Sequence, residues 1–174
     1  MKSGLTLLIV FLVAYSAEAF SQMQVCVTNK QATTPVTHFD DKGNGTVVDN
    51  LTKKIWQRCA VGLQWDGQSC TGKSQTFTYA EVLAEIDTYN KEKYAHRNNW
   101  RLPTRDELLS IVEQRCYNPA INLDVFPYSP QSGFWTATEN AGLLSMRQEI
   151  VHFLNGGVYV SNKNQAWRAR LIAD

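Results

Sequence analysis

A chain of 174 residues with 44% hydrophobic and 19% charged side chains has room for one domain with a sizeable core. It is too short for two independent enzymes and too apolar for disorder. Seventeen basic against sixteen acidic side chains leave a formal charge of +1, so no overall field draws the chain to nucleic acid or anionic lipid, and any anion recognition is local.

The first nineteen residues read as an export signal: Lys2, an apolar run from Leu5 to Ala14, and a small-x-small cut site at Ala17-Glu18-Ala19. The mature chain is predicted to start at Phe20. The run is short for a bilayer span and no second long apolar run follows, so no stable membrane insertion is expected after cleavage. Four cysteines then enter an oxidising compartment, where an even count reads as two disulfides. Three pairings are possible. The glycine-containing stretch Val61 to Ser69 has no regular pattern and favours Cys59 with Cys70, a closure worth roughly 3 kcal/mol in the chain-entropy model. Cys26 then pairs with Cys116, tying a polar arm over residues 20–35 to the end of a helix. Zinc is disfavoured because no two cysteines have ligand spacing and His38, His96 and His152 lie far apart.

The folded domain is expected over residues 36–174. Val36 to Phe39 and Thr46 to Asp49 read as a hairpin around Asp40-Asp41-Lys42-Gly43-Asn44-Gly45, followed by a strand from Ile55 to Cys59. Thr78 with Glu81 and Thr104 with Glu107 are capping boxes, which open helices over Tyr79–Lys91 and Arg105–Arg115. Their apolar stripes, Tyr79, Val82, Leu83 and Ile86 in the first and Leu108, Leu109, Ile111 and Val112 in the second, read as core. A proline-punctuated loop from Tyr117 to Pro130 precedes strands at Gly133–Thr138, Gln148–Leu154, Val158–Val160 and Ala166–Ile172, with Asn155-Gly156-Gly157 as a hairpin turn. This order predicts an α+β domain with two helices beside an antiparallel sheet carrying long loops.

Catalytic templates find little. Gly67-Gln68-Ser69-Cys70-Thr71 fails the nucleophile elbow at its last position, and Gly156-Gly157 lacks the helix and lysine of a phosphate loop. Cys116 with His152 is a nominal thiol–imidazole pair, but bridges are the commoner use of cysteine in an exported chain. Aromatic residues, at 11%, are the stronger signal: Trp56, Trp100 and Trp135 read as core, Trp65 and Trp167 as candidates for exposure beside hydrogen-bonding side chains.

Several ordered motifs carry a family resemblance. Val47-Val48-Asp49-Asn50-Leu51-Thr52 with Ile55-Trp56-Gln57-Arg58-Cys59, then Asn99-Trp100-Arg101-Leu102-Pro103-Thr104 with Glu107-Leu108, then Asn118-Pro119-Ala120-Ile121-Asn122 before Phe126-Pro127 come first. Phe134-Trp135-Thr136-Ala137-Thr138, Val151-His152-Phe153 with Gly156-Gly157, and Trp167-Arg168-Ala169-Arg170 complete the set. Together they resemble the Lcl C-terminal domain family, the domain that ends a bacterial collagen-like adhesin. The resemblance implies a C-type-lectin-like fold and an exported, non-enzymatic binding module of a Gram-negative bacterium, periplasmic or at the cell surface. Its implied partner is a glycan of the sulfated glycosaminoglycan class, or a protein. The calcium-binding triplets of sugar-binding lectins are absent, and no cysteine follows Cys116 to supply the pair that formylglycine-generating relatives use, so neither metal nor cofactor is expected. Ala169 stands where many members have a cysteine. Arg147, Lys163, Arg168 and Arg170, with Trp167, form the candidate ligand surface, since basic groups pair with sulfate. Two other readings stay open: an accessory subunit of a pilus or envelope assembly, and a sugar-acting enzyme on the same fold.

Overall fold

The computed structural model describes residues 23–139 and 146–174; the export signal over residues 1–19, and its cut before Phe20, lie outside them. The architecture is α+β. The hairpin read from the sequence is present as β2 (Phe39–Asp41) and β3 (Thr46–Asp49), with Phe39 opposite Asp49. Its first strand starts later than expected, because Pro35 opens a 3-10 turn over Val36–His38. β4 (Ile55–Gln57) continues the sheet, and the last strand, β11 (Ile172–Ala173), pairs with β4 to give the order β11-β4-β3-β2. The end of the chain is thereby stitched to the start of the domain. A second, three-stranded antiparallel sheet has the order β10-β9-β8, from Gly157–Asn162, Arg147–His152 and Gly133–Glu139.

Both disulfides form as expected, Cys59 with Cys70 and Cys26 with Cys116. Two details of their setting differ from the sequence reading. The Cys59–Cys70 loop is not irregular: β5 (Leu63–Trp65) and β6 (Cys70–Gly72) form a small hairpin, whose turn is closed by Asp66 Oδ1 accepting from the Gln68 and Ser69 N–H groups. Cys116 lies on a strand, β7 (Cys116–Tyr117), which pairs with β1 (Val25–Cys26). The arm is also held by Glu113, which accepts from the backbone N–H groups of Thr33 and Thr34 at 3.0 and 2.9 Å.

Both capping boxes close reciprocally, at Thr78 with Glu81 and Thr104 with Glu107. α1 spans Tyr79–Lys91 as predicted, except that Leu83 is exposed: the buried face carries Val82 and Ile86. α2 spans only Arg105–Ser110, not to Arg115. The chain leaves the helix there because Val112 pairs with Ile121 and the Glu113 N–H donates to the Ala120 carbonyl, so tertiary pairing outcompetes helix propagation.

Two clusters of buried side chains fill the interior. One gathers Trp56, Phe126, Phe134 and Phe153; the other gathers Trp100 and Trp135 with Val82 and Ile86 beneath α1. Between them runs the stretch from Ala166 to Ile172, expected as one strand. It changes partner at almost every step: Trp167 bonds Phe77, Arg168 bonds Gly133 and Trp135, Ala169 receives Val61, and Leu171 receives Gln57. The backbone is paired, but no single neighbour supplies a continuous ladder.

Candidate functional site

The late strands build one surface. In the β9–β10 register His152 faces Gly157, Ile150 faces Tyr159 and Gln148 faces Ser161, so by alternation these side chains share one face of the sheet. Trp167 lies across that face: its ring centroid is 6.0 Å from that of His152, which is 6.1 Å from that of Tyr159. The indole N–H of Trp167 donates to Ser161 Oγ at 2.6 Å. Gly133 makes this approach possible, since a Cβ there would sit 2.8 Å from Trp167 Cε3. At the other end Asn155 Nδ2 donates to the Tyr159 hydroxyl at 3.1 Å. The Leu154 N–H donates to His152 Nδ1 at 3.2 Å, which leaves the ring proton on Nε2, and burial holds the imidazole pKa below its usual value. The result is a ladder of three rings, with Tyr159 48% exposed and the other two half-buried.

Lys163 lies just past the end of β10. Its backbone is fixed by the Met146 carbonyl and its Nζ lies 5.1 Å above the Tyr79 ring, whose hydroxyl is pushed up by burial and by the charge of Glu139. Of the five residues expected to form the ligand surface, Trp167 lies on this face and Lys163 follows β10 in the turn after it, its ammonium over Tyr79. Arg147 is exposed but stands opposite Asn162, on the other face of the sheet. Arg168 turns its Nη1 to Ser74 Oγ at 2.8 Å and is half-buried, which lowers its pKa.

Arg170 is a correction. It is wholly buried, donating to the carbonyls of Gln57 and Arg58 and to Ser129 Oγ, with its guanidinium 4.8 Å from the Phe126 ring. It ties β4 to the 117–130 loop and presents nothing to a ligand. Its place in a basic cluster of the late strands suggested a ligand-facing side chain, whereas Ala169, Arg170 and Leu171 are all fully buried.

A concave feature elsewhere went unread in the sequence. A cleft of about 580 Å³ lies between α1 and the β5–β6 hairpin, walled by the rings of Trp65, Tyr89 and Tyr94. Glu85 and Glu92 stand on its rim. Burial, aided by the charges of Tyr94, Glu85 and Glu92, pushes the Tyr89 hydroxyl up to about 12. Trp65, a candidate for exposure, is half-buried, with the Arg58 guanidinium 4.3 Å from its ring centroid. Among the described residues no group of three His, Cys, Asp or Glu side chains is arranged to hold a metal ion, and no helix is long and apolar enough to cross a membrane.

No curated protein matches the chain. The model of the Lcl C-terminal domain matches residues 45–173, from the turn before β3 to the last strand, a span that contains the ring ladder and all of the cleft lining but Asn44. The chain belongs to the Lcl C-terminal domain family.

Proposed function

We propose that this protein is an exported, non-enzymatic binding module that recognises a glycan through the Trp167–His152–Tyr159 face, and that its domain is C-type-lectin-like. The observation that carries the reading is the ring ladder itself. Three aromatic rings packed edge to face, at 74° and 79°, with a hydroxyl and an amide beside them supply what sugars use: a ring stacks on the apolar face of the pyranose while polar groups pair with its hydroxyls. Lys163 supplies the positive charge that a sulfated glycosaminoglycan requires. The last strand, β11, paired with β4 early in the domain, two helices and a separate sheet with long connections support the lectin-like topology. Two disulfides suit an oxidising, extracytoplasmic compartment. With Cys116 bridged, its nominal pairing with His152 has no free thiol.

The test is a glycan array on the oxidised chain at low and physiological salt, with and without chelator. Expected is retention of sulfated glycans that falls with salt and survives chelation. Tyr159→Ala should weaken retention about tenfold, and Lys163→Ala should flatten the salt dependence. A blank array with folded protein would overturn the glycan reading. It would favour the second one, an accessory subunit of an envelope assembly, which has its own support: β10 is an edge strand, its Val158 and Val160 are 40% and 46% exposed, and residues 157–162 carry no charge to guard it.

A further inference from the structure

The cleft beside α1 has electrostatics opposite to those of the sheet surface. Glu81, Glu85, Thr88 and Glu92 recur at helical spacing and share one side of α1 and its C-cap. Glu85 and Thr88 line both the cleft and an adjoining shallower groove of about 420 Å³, which Glu81 also borders, so the two form one trough. From Glu81 to Glu92 it runs roughly 16 Å at the rise of a helix. Among the described residues neither Glu85 nor Glu92 enters an ion pair. Arg58, whose guanidinium lies against the Trp65 wall, is committed to Asp41 at 2.6 Å and to the carbonyls of Asp124 and Val125, while Lys91 and Lys93 flank Glu92 in the chain. Glu81 is held ionised, its pKa lowered by the Thr78 backbone and hydroxyl.

The trough is also built to close tolerances. Gly45 and Gly62 both have positive φ. A Cβ at Gly45 would lie 2.8 Å from the Tyr94 hydroxyl and 2.9 Å from Trp65 Cβ, and one at Gly62 would lie 2.8 Å from Gln75 Cγ. Two glycines thus let the backbone run directly behind the ring and amide walls. Among the described residues the indole N–H of Trp65 has no hydrogen-bond partner, an unusual state for a buried donor atom.

We propose that this trough binds an oligosaccharide bearing free, protonated amino groups, a glucosamine-type sugar that is not N-acetylated. Each part of the lining answers a part of such a ligand. The Trp65, Tyr89 and Tyr94 rings give stacking faces, and Asn44, Gln64 and Gln75 give donors and acceptors for sugar hydroxyls. Glu85 and Glu92 pair with ammonium groups. A bare polyamine would leave the amides unmatched, and a sulfated sugar would meet the Glu85 and Glu92 carboxylates. The cleft volume lies within the roughly 300–1,000 Å³ of small-ligand sites.

The test is calorimetric titration of the full oxidised chain with three probes at mildly acidic pH: a β-1,4 glucosamine trimer, its fully N-acetylated counterpart, and spermidine. The glucosamine trimer should bind about tenfold or more tightly than either of the others. Glu85→Gln combined with Glu92→Gln should remove about tenfold of its affinity, while Lys163→Ala leaves it unchanged. Near-ultraviolet circular dichroism establishes that each variant is folded. Equal binding of the acetylated trimer, binding of spermidine as tight as the sugar's, no binding to folded protein, or a loss on Lys163→Ala but not on the glutamine variants would each overturn the proposal. The last outcome separates this trough from the sheet surface, so the two readings fail independently.

Discussion

Substituting Gly133 by alanine tests whether the ring ladder depends on backbone approach. Gly133 is not in the left-handed region, so alanine meets no conformational penalty there. Its Cβ would meet Ile150 Cδ1 at 2.7 Å and the Trp167 ring at 2.8 and 3.2 Å. The isoleucine terminus can rotate away, but the indole is rigid. To restore ordinary carbon–carbon contact near 3.5 Å the ring must retreat by roughly 0.7 Å. That retreat strains the bond from Trp167 to Ser161, worth about 1 kcal/mol. With the overpacking itself, Gly133→Ala should cost about 2–3 kcal/mol in urea denaturation. Trp167→Leu removes the obstacle at its own cost of about 2 kcal/mol in buried surface. The double variant should therefore be more stable than the sum of the two losses predicts, by about 1 kcal/mol or more. Additivity to within about 0.5 kcal/mol would refute the contact and with it the placement of Trp167 over the sheet.

Two further outcomes follow from the geometry. Glu107 accepts from both Arg101 guanidinium nitrogens at 2.8 and 2.7 Å and from the Thr104 N–H, and this fork holds its carboxyl at about 2 against an ordinary 4.5. A pKa lowered on folding gives stability that is present above the unfolded value and lost as pH falls through the folded one. The shift corresponds to about 3 kcal/mol at most, and about 1–2 once screening of the partly exposed pair is allowed for. Denaturation between pH 6 and pH 2.5 should show the native chain losing that amount relative to Glu107→Gln, which keeps the cap but not the charge; parallel profiles would exclude the ion pair as the cause. Replacing Cys59 and Cys70 together by serine should lower stability by roughly 3 kcal/mol and loosen the Trp65 wall of the α1 trough, read as weaker glucosamine-trimer binding, whereas an unchanged denaturation midpoint would contradict the role given to this bridge.

What the sequence discloses and what it hides divide by range of interaction. The capping boxes at Thr78 and Thr104 were legible because each is closed within four residues, and the burial of Trp56 and Trp135 because large rings in short strands have nowhere else to go. The early end of α2 was not legible: Ile111 and Val112 continue a helical stripe, and only the pairing of Val112 with Ile121 turns the chain aside. Arg168 and Arg170 looked alike in the sequence, two arginines flanking Ala169. One lies half-buried against Ser74 and the other inside the core. The α1 trough was hidden for a similar reason, since Trp65 comes from β5, Tyr89 from α1 and Tyr94 from the turn after it.

The near-zero net charge excluded a global field, and it also concealed two local ones. Lys163 stands over Tyr79, the first residue of α1, while Glu85 and Glu92, which enter no ion pair among the described residues, line the cleft farther along the same helix and at its C-cap. Local potential at a concave or aromatic surface depends on which charges the fold leaves uncompensated, not on their sum. Here the fold consumes several of its arginines internally: Arg58 on Asp41 and backbone carbonyls, Arg101 on Glu107, Arg170 on the carbonyls of Gln57 and Arg58. Counting basic residues along the late strands therefore overstated the positive surface, and the same internal pairing leaves the glutamates of α1 to define a negative one. A ligand screen that samples only anionic glycans would test one of these surfaces and miss the other.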